Sequence, residues 1–488
     1  MKRILLILAA GLLLLLVVLL LRTQLFSEPA SQGVVEPAQV LLDESGAVNR
    51  LAGALRFKTI SRPGPGPQNP ATFGPFVEYL KSSFPAVFSR LQVETVGGYS
   101  LLIRWPGSDA SLKPILLLSH MDVVPVIPGT EKLWIHPPFG GVVENGVVWG
   151  RGALDDKSGV LGILEAVETL LRQGFVPERE IYLAFGDDEE VGGQQGALAI
   201  AKLLKKRGVE LEFLLDEGGA ITRGIVPGMD GPVALIGPAE KGYLSLSLSA
   251  QDTGGHSSQP PTTTAAGRVA RAVERIQSQP FPLSMEFTGE FISHLGSDIP
   301  FVQRLLFANA WLFEPFIGHF LPENPALVAG MRTTTAPTML KGSVKDNVLP
   351  IQAQAVINFR ILPGETSATV TDRVTALVDD PLVSIKPYGF VSEPSGVSST
   401  ESYGYQILSR SIREVIQDPQ LVVAPRLVIG ATDARHFESV TDSSLRFLGV
   451  TLGPEELKGF HGTNERVTVE GYLEAVKIYY QLLLNAAG

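Results

Sequence analysis

The stretch IYLAFGDDEEVGG (181–193) runs from five largely apolar residues straight into four carboxylates, Asp187, Asp188, Glu189 and Glu190. A short continuous apolar run of this kind predicts a strand buried on both faces. Carboxylates crowded at its end destabilise one another unless water or a cation offsets their charge. Two readings stand at this point: a solvated loop, or a metal site at the C-terminal end of a strand.

Neighbouring segments repeat the device. LLIRW (101–105), PILLLSH (114–120) and EFLLD (212–216) also read as buried strands. Between them, DKSGVLGILEAVETLLRQ (156–173) places Val160, Ile163, Leu164, Val167 and Leu171 on one helical face, with Gly174 as the stop. Such alternation predicts an α/β domain with a mixed, mainly parallel sheet and helices on both faces. Near 240 the pattern changes. GYLSLSLSAQ (242–251) alternates apolar and polar residues, as a strand with one exposed face does. A helix (262–277), two strands (near 337–344 and 352–362), a helix (367–379) and a strand (383–388) follow. That order, β-α-β-β-α-β, is the ferredoxin-like unit. The expected organisation is a catalytic-type domain in two parts (41–239 and 393–488) around a smaller inserted domain (240–392). The inserted domain carries an insert (280–335) whose aromatic-rich part, FVQRLLFANAWLFEPFIGHF (301–320), reads as an acyl-chain pocket, a membrane-facing patch or ordinary core.

Composition narrows the chemistry. The 488-residue chain exceeds one ordinary domain, and its net charge of −10 without a Lys/Arg block gives no footprint for nucleic acid. With no cysteine, disulfides are impossible and any metal must take His, Asp or Glu. At the N-terminus, MKR precedes the apolar run ILLILAAGLLLLLVVLLL (4–21), closed by Arg22. The run approaches bilayer-spanning length, and no strong cleavage site follows it. Residues 1–25 are therefore read as a membrane anchor, with a cleaved signal peptide as the alternative. Residues 26–40 are read as a linker. Lys2 and Arg3 should remain cytoplasmic, leaving the catalytic domain periplasmic, lumenal or extracellular, or secreted if the segment is cut.

Four places carry residues fit for a metal site. In SHMDVVP (119–125), His120 and Asp122 are two apart on a strand end and so share a face. A ligating imidazole needs an acceptor on its other nitrogen, which Asp122 supplies on this reading. In GRGALDDKSG (150–159), Asp155 and Asp156 open a helix, where capping explains an aspartate and bridging two cations is the alternative. LDEGG (215–219) repeats the strand-then-carboxylate pattern with Asp216 and Glu217, and FHGTNE (460–465) adds His461.

Together with GHSSQPP (255–261), these motifs resemble, in order, the zinc exopeptidase family of carboxypeptidase S, aminoacylase and glutamate carboxypeptidase. The resemblance covers nearly everything from about residue 45 onward. NAWLFEPFIGHF (309–320) and RTTTAPT (332–338) look closer still to its N-fatty-acyl-amino-acid synthase/hydrolase branch. The resemblance implies two Zn²⁺ per subunit, with Asp155 bridging, His120 and Asp216 on one ion, and Glu190 and His461 on the other. It further implies Glu189 as general base, Asp122 as the orienting acid and His256 as an oxyanion donor, often given to a partner subunit. Asn347 and the arginines Arg360 and Arg435 are substrate-binding candidates, since a guanidinium grips a carboxylate bidentately. Asp187 matches nothing in the motif, and solvation is its plain reading. The implied activity is hydrolysis of small peptides or N-acyl amino acids. Condensation in reverse and a catalytically inactive membrane-anchored binding protein are the alternatives. The resemblance also implies that residues 240–392 form a lid and dimerisation domain, with a homodimer through it.

Overall fold

The structure is a computed structural model that describes residues 2–26, 35–64, 66–296, 299–313 and 325–488. The linker residues 27–34 and the part of the aromatic insert at 314–324 lie outside the described residues. Three of the apolar runs form Ile115–His120, Ile181–Gly186 and Phe213–Asp216, all fully buried. They are parallel neighbours at the centre of a six-stranded sheet, flanked by Ser444–Arg446 on one side and by Ser100–Trp105 and Gln92–Val96 on the other. The last two strands run antiparallel, so the sheet is mixed. The parallel pairing sets His120 opposite Gly186, which brings the C-terminal ends of the central strands to one edge. Open α/β sheets build their sites at that edge.

The long helix is Lys157–Arg172, capped by Asp156 through a bond from Gly159 N–H. Gly174, at φ 78°, follows its end in the left-handed conformation favoured just past a helix. The expected single apolar face is wider than the sequence indicates, because Glu165 and Glu168 are buried as well. Glu165 takes two bonds from Arg50, and Glu168 accepts from the N–H groups of Ala86 and Val87. Charged residues fit inside because each carboxylate is fully paired. The helix is enclosed by the sheet, Glu44–Ala54 and the C-terminal helix Val469–Ala487. The larger core accordingly draws on residues 47–236 and 405–487.

Between these parts lies a second core, built from residues 244–383. Here Gly242–Gln251, Thr334–Lys341, Gln352–Ile361 and Val383–Ser392 form an antiparallel sheet, and the first and third of them pair along their whole length. Helices Ala265–Gln277 and Ser367–Val378 pack on it through Val269, Ala272, Ile276, Val370 and Val374. Pro337 sits at a register shift in the edge strand Thr334–Lys341, where a missing N–H does least harm. At the N-terminus, Lys2–Phe26 is, among the described residues, the one helix long and apolar enough to cross a membrane.

Candidate metal centre

His120 ends its strand with a fully enclosed imidazole. Its Nδ1 lies 3.0 Å from the Asp122 carbonyl oxygen and 3.3 Å from Asp122 Oδ1, while Nε2 lies 2.9 Å from Asp155 Oδ1 and 3.5 Å from Glu217 Oε1. Asp122 also accepts from the backbone N–H of Glu189 at Oδ1 and of Glu190 at Oδ2, both at 3.1 Å. One carboxylate thus orients the histidine and pins the acidic loop beside it.

Asp155 and Asp156 part company. Asp156 caps the helix and takes a 2.5 Å bond from Ser119 Oγ. Asp155 points into the cluster, with Oδ1 on His120 and Oδ2 2.6 Å from His461 Nε2. His461 Nε2 is also 3.4 Å from Glu190 Oε2. Two ligand groups result, His120–Asp155–Glu190 and His120–Glu189–Glu217, each with its donor atoms within 4.8 Å of one another.

The opening acidic run is not a solvated loop. Asp187 is buried, accepting from Ser100 Oγ at 2.5 Å and from Tyr99 N–H at 2.9 Å. It ties the loop to the start of strand Ser100–Trp105, and burial pushes its carboxyl up to about 6. Asp188, also buried, accepts from the N–H groups of Gln195 and Gly196. Glu189 and Glu190 face the cluster.

LDEGG needs a correction. Asp216, expected as a ligand, turns away: Oδ1 accepts from Glu217 N–H at 2.9 Å and Oδ2 from Ala434 N–H at 2.7 Å. Glu217 takes the place beside His120. Successive residues leaving a strand point to opposite sides, so only one of the pair can face the histidine.

Two features were not foreseen. Glu465 is fully buried and accepts at Oε1 from the N–H groups of Gly152, Leu154 and Asp155, and at Oε2 from Arg151. Arg151 in turn donates to the carbonyl of Gly462. This pair fastens the Asp155 turn to the His461 loop. Asp433 is buried with neither oxygen hydrogen-bonded among the described residues. It lies close against Gly193, where a β-carbon would collide with it. FHGTNE contained Glu465, but nothing local marks it as the partner of residues more than three hundred positions earlier.

Breaking a buried ion pair by removing one partner costs about 3–5 kcal/mol. Glu465→Gln should therefore lower unfolding free energy by about that amount. Loss of the support behind a ligand typically costs about 10–100-fold in metal affinity, so zinc binding should weaken on that scale. Denaturant melts and zinc titrations read the two effects separately, and wild-type zinc affinity would remove the positioning role.

The charge balance asks for a cation. Burial holds the carboxyls of Glu189, Glu190 and Glu217 above their ordinary range, and neighbouring carboxylates push the same way: Asp433 on Glu189, Asp155 on the other two. Glu190 Oε1 is buried without a hydrogen-bond partner among the described residues. Imidazole and carboxylate donors at strand ends match the N/O ligand set of zinc, and a divalent ion here offsets the repulsion, so the residues present fit the group.

The remaining candidates are dispersed. Arg435 stands 3.9 Å from Glu189 Oε1 and 5.8 Å from the Phe390 ring centre, in a groove also lined by Gln194, His436 and Glu438. Arg360 lies over the Tyr243 ring at 4.7 Å and has no carboxylate partner among the described residues. His256 is exposed and contacts Ser258; the bridge Gly255–His256 with Val348–Leu349 sets it near Asn347, and no described contact joins either to the cluster.

The model of Peptidase family M20/M25/M40 matches residues 116–485. "Probable carboxypeptidase S-like 2" of Dictyostelium discoideum is 41% identical over 448 residues, covering 91% of this chain and 86% of that protein. "N-fatty-acyl-amino acid synthase/hydrolase PM20D1" of Xenopus tropicalis is 40% identical over 445 residues, covering 90% and 85%. Among solved structures, the M20 family metallo-carboxypeptidase Sso-CP2 from Sulfolobus solfataricus superposes with a TM-score of 0.64 at 19% identity, covering 90% of this chain and 98% of that one. The likeness in fold, the family match and the His–carboxylate cluster agree: this chain belongs to peptidase family M20/M25/M40 and is a zinc-dependent hydrolase of amide bonds.

Proposed function

We propose that the enzyme uses two zinc ions to cut amides whose amine half is a free amino acid, in N-acyl amino acids or at peptide C-termini. The observation that carries the two-ion reading is Asp155, whose oxygens address two different imidazoles. His120, Asp155 and Glu217 would hold one ion, and Asp155, Glu190 and His461 the other. When bound, zinc supplies Lewis acidity toward a carbonyl and lowers the pKa of water. Glu189 takes a proton from the attacking water at its carboxylate and returns it to the departing amine. Its backbone is fixed by Asp122, and its carboxyl group is held among buried carboxylates, where a raised pKa suits both halves of that task. The same residues serve condensation in reverse, so the geometry adds nothing in its favour. An inactive binding protein would have no need of Glu189 in this position.

Arg435 and Arg360 carry the substrate reading. Arg435 adjoins Glu189 and opens on the groove toward Phe390, and Arg360 is a half-buried guanidinium without a carboxylate partner among the described residues. Both suit the carboxylate of the amino-acid half. The inserted unit 240–392 acts as the lid on this reading. His256 and Asn347, remote from the cluster within one chain, fit donation to a neighbouring subunit's site in a homodimer. The full-length protein in detergent should hydrolyse N-acyl amino acids or dipeptides, lose activity to a chelator and regain it with zinc. A charge-assisted hydrogen bond is worth about 1.5–3 kcal/mol, so Arg360→Ala should raise KM for free-acid substrates roughly 10–100-fold. The matching carboxamides should barely change; equal effects on both would remove the carboxylate clamp.

A further inference from the structure

The apolar helix Lys2–Phe26 does not stand apart from the rest of the chain. Its residues are exposed along most of the run, but Leu15, Leu19 and Phe26 are half-buried and Thr23 is buried. Spaced three and four apart, they form one stripe. The stripe packs on helix Phe301–Ala308 of the insert. Asn309, at that helix's end, is fully buried and donates its amide to Leu19 O at 3.1 Å, Thr23 Oγ1 at 3.2 Å and Leu305 O at 2.9 Å. Arg22 Nε donates to Ala308 O at 3.2 Å. Phe26 packs against a core cluster that includes Val226, Phe291 and Val422.

These contacts fix a depth. The apolar run 4–21 is about 27 Å long at the α-helical rise of about 1.5 Å per residue, close to the hydrocarbon thickness of about 30 Å. Leu19, which Asn309 touches, lies about 3 Å inside the end of that run by the same rise. The insert helix therefore meets the anchor at the level where hydrocarbon gives way to headgroups. At that level buried N–H groups need their acceptors from protein; the Asn309 nitrogen has three, while its Oδ1 is buried without a partner among the described residues. The same segment exposes large apolar side chains: Phe301 at 49%, Val302 at 64% and Trp311 at 57%. Large apolar side chains exposed in that segment are at home there, and tryptophan is enriched at that depth.

We infer that Phe301, Val302 and Trp311 form a membrane-seated platform, inserted into the leaflet on the catalytic side and joined to the anchor through Asn309. The occupant of the patch is the lipid bilayer, which adjoins it through the spanning helix. The inference rests on the anchor reading of Lys2–Phe26. It deepens that reading, because the catalytic body is then held against the bilayer rather than only tethered to it. It also gives Arg22, Thr23 and Phe26 a tertiary role that a cleaved signal peptide would not have.

The test reconstitutes the full chain in phosphatidylcholine vesicles, with and without lipids brominated high on their acyl chains. Alkaline carbonate extraction and flotation report the anchor. The emission difference between wild type and Trp311→Phe reports the platform. The expected result is protein that stays with the vesicles and a Trp311 component that is blue-shifted and largely quenched by bromolipid. Phe301→Trp in the Trp311→Phe background should restore a quenched component. If the protein floats but the Trp311 component is unquenched, the platform is overturned while the anchor stands. An unquenched component that crosslinks between copies overturns it in favour of a second chain on the patch. Release by carbonate overturns the anchor and the platform together.

Discussion

Glu189→Gln should bind zinc at wild-type stoichiometry and turn over amide substrates roughly 10²–10⁴-fold more slowly, the range that general acid–base catalysis supplies. The substitution keeps size and shape and removes the basic oxygen. The loop should hold, because Asp122 anchors the backbone N–H groups of Glu189 and Glu190 rather than the Glu189 side chain. Asp187 and Asp188 fasten the same loop from behind. Metal analysis beside steady-state kinetics checks both halves. Glu189 also lies within ligand distance of His120 and Glu217, so loss of an ion in the glutamine variant would make it a ligand instead. Full activity with full metal would falsify the base assignment.

The second large effect separates neighbours. Glu217→Gln should lose one zinc ion and most turnover. Asp216→Asn should keep both ions and lose stability. Asp216 accepts two backbone N–H groups in a fully enclosed place. An amide can satisfy only one of them and turns a donor toward the other, at a cost of about 1–3 kcal/mol. Zinc stoichiometry and denaturant melts on the two variants decide the matter. Metal loss on Asp216→Asn with none on Glu217→Gln would restore the ligand set that the resemblance implies.

This pair shows where reading the chain stops. In LDEGG both carboxylates are chemically suitable and equally close to the strand end. Which one faces His120 follows from side-chain direction and from Ala434, a residue over two hundred positions away whose N–H claims Asp216. The acidic run GDDEEVGG divides in the same way. Glu189 and Glu190 were separable from Asp188 by the motif. Asp187, read as solvated, is held by Tyr99 and Ser100, which only the pairing of Ser100–Trp105 with Ile181–Gly186 brings within reach.

By itself the sequence determined what depends on neighbours along the chain. Apolar runs of strand length gave Ile115–His120, Ile181–Gly186 and Phe213–Asp216. A 3.6-residue period with Asp156 before it and Gly174 after it gave the long helix. The absence of cysteine confined any metal to imidazole and carboxylate. The tertiary structure alone decided which carboxylate turns inward, which buried charge is paired, and where the apolar N-terminal helix meets the body. Those outcomes depend on donors and charges remote in sequence, such as Ala434 for Asp216, Arg151 for Glu465 and Asn309 for Leu19. A buried polar group takes whichever partner the fold brings to it, because leaving it without one costs more than turning the side chain.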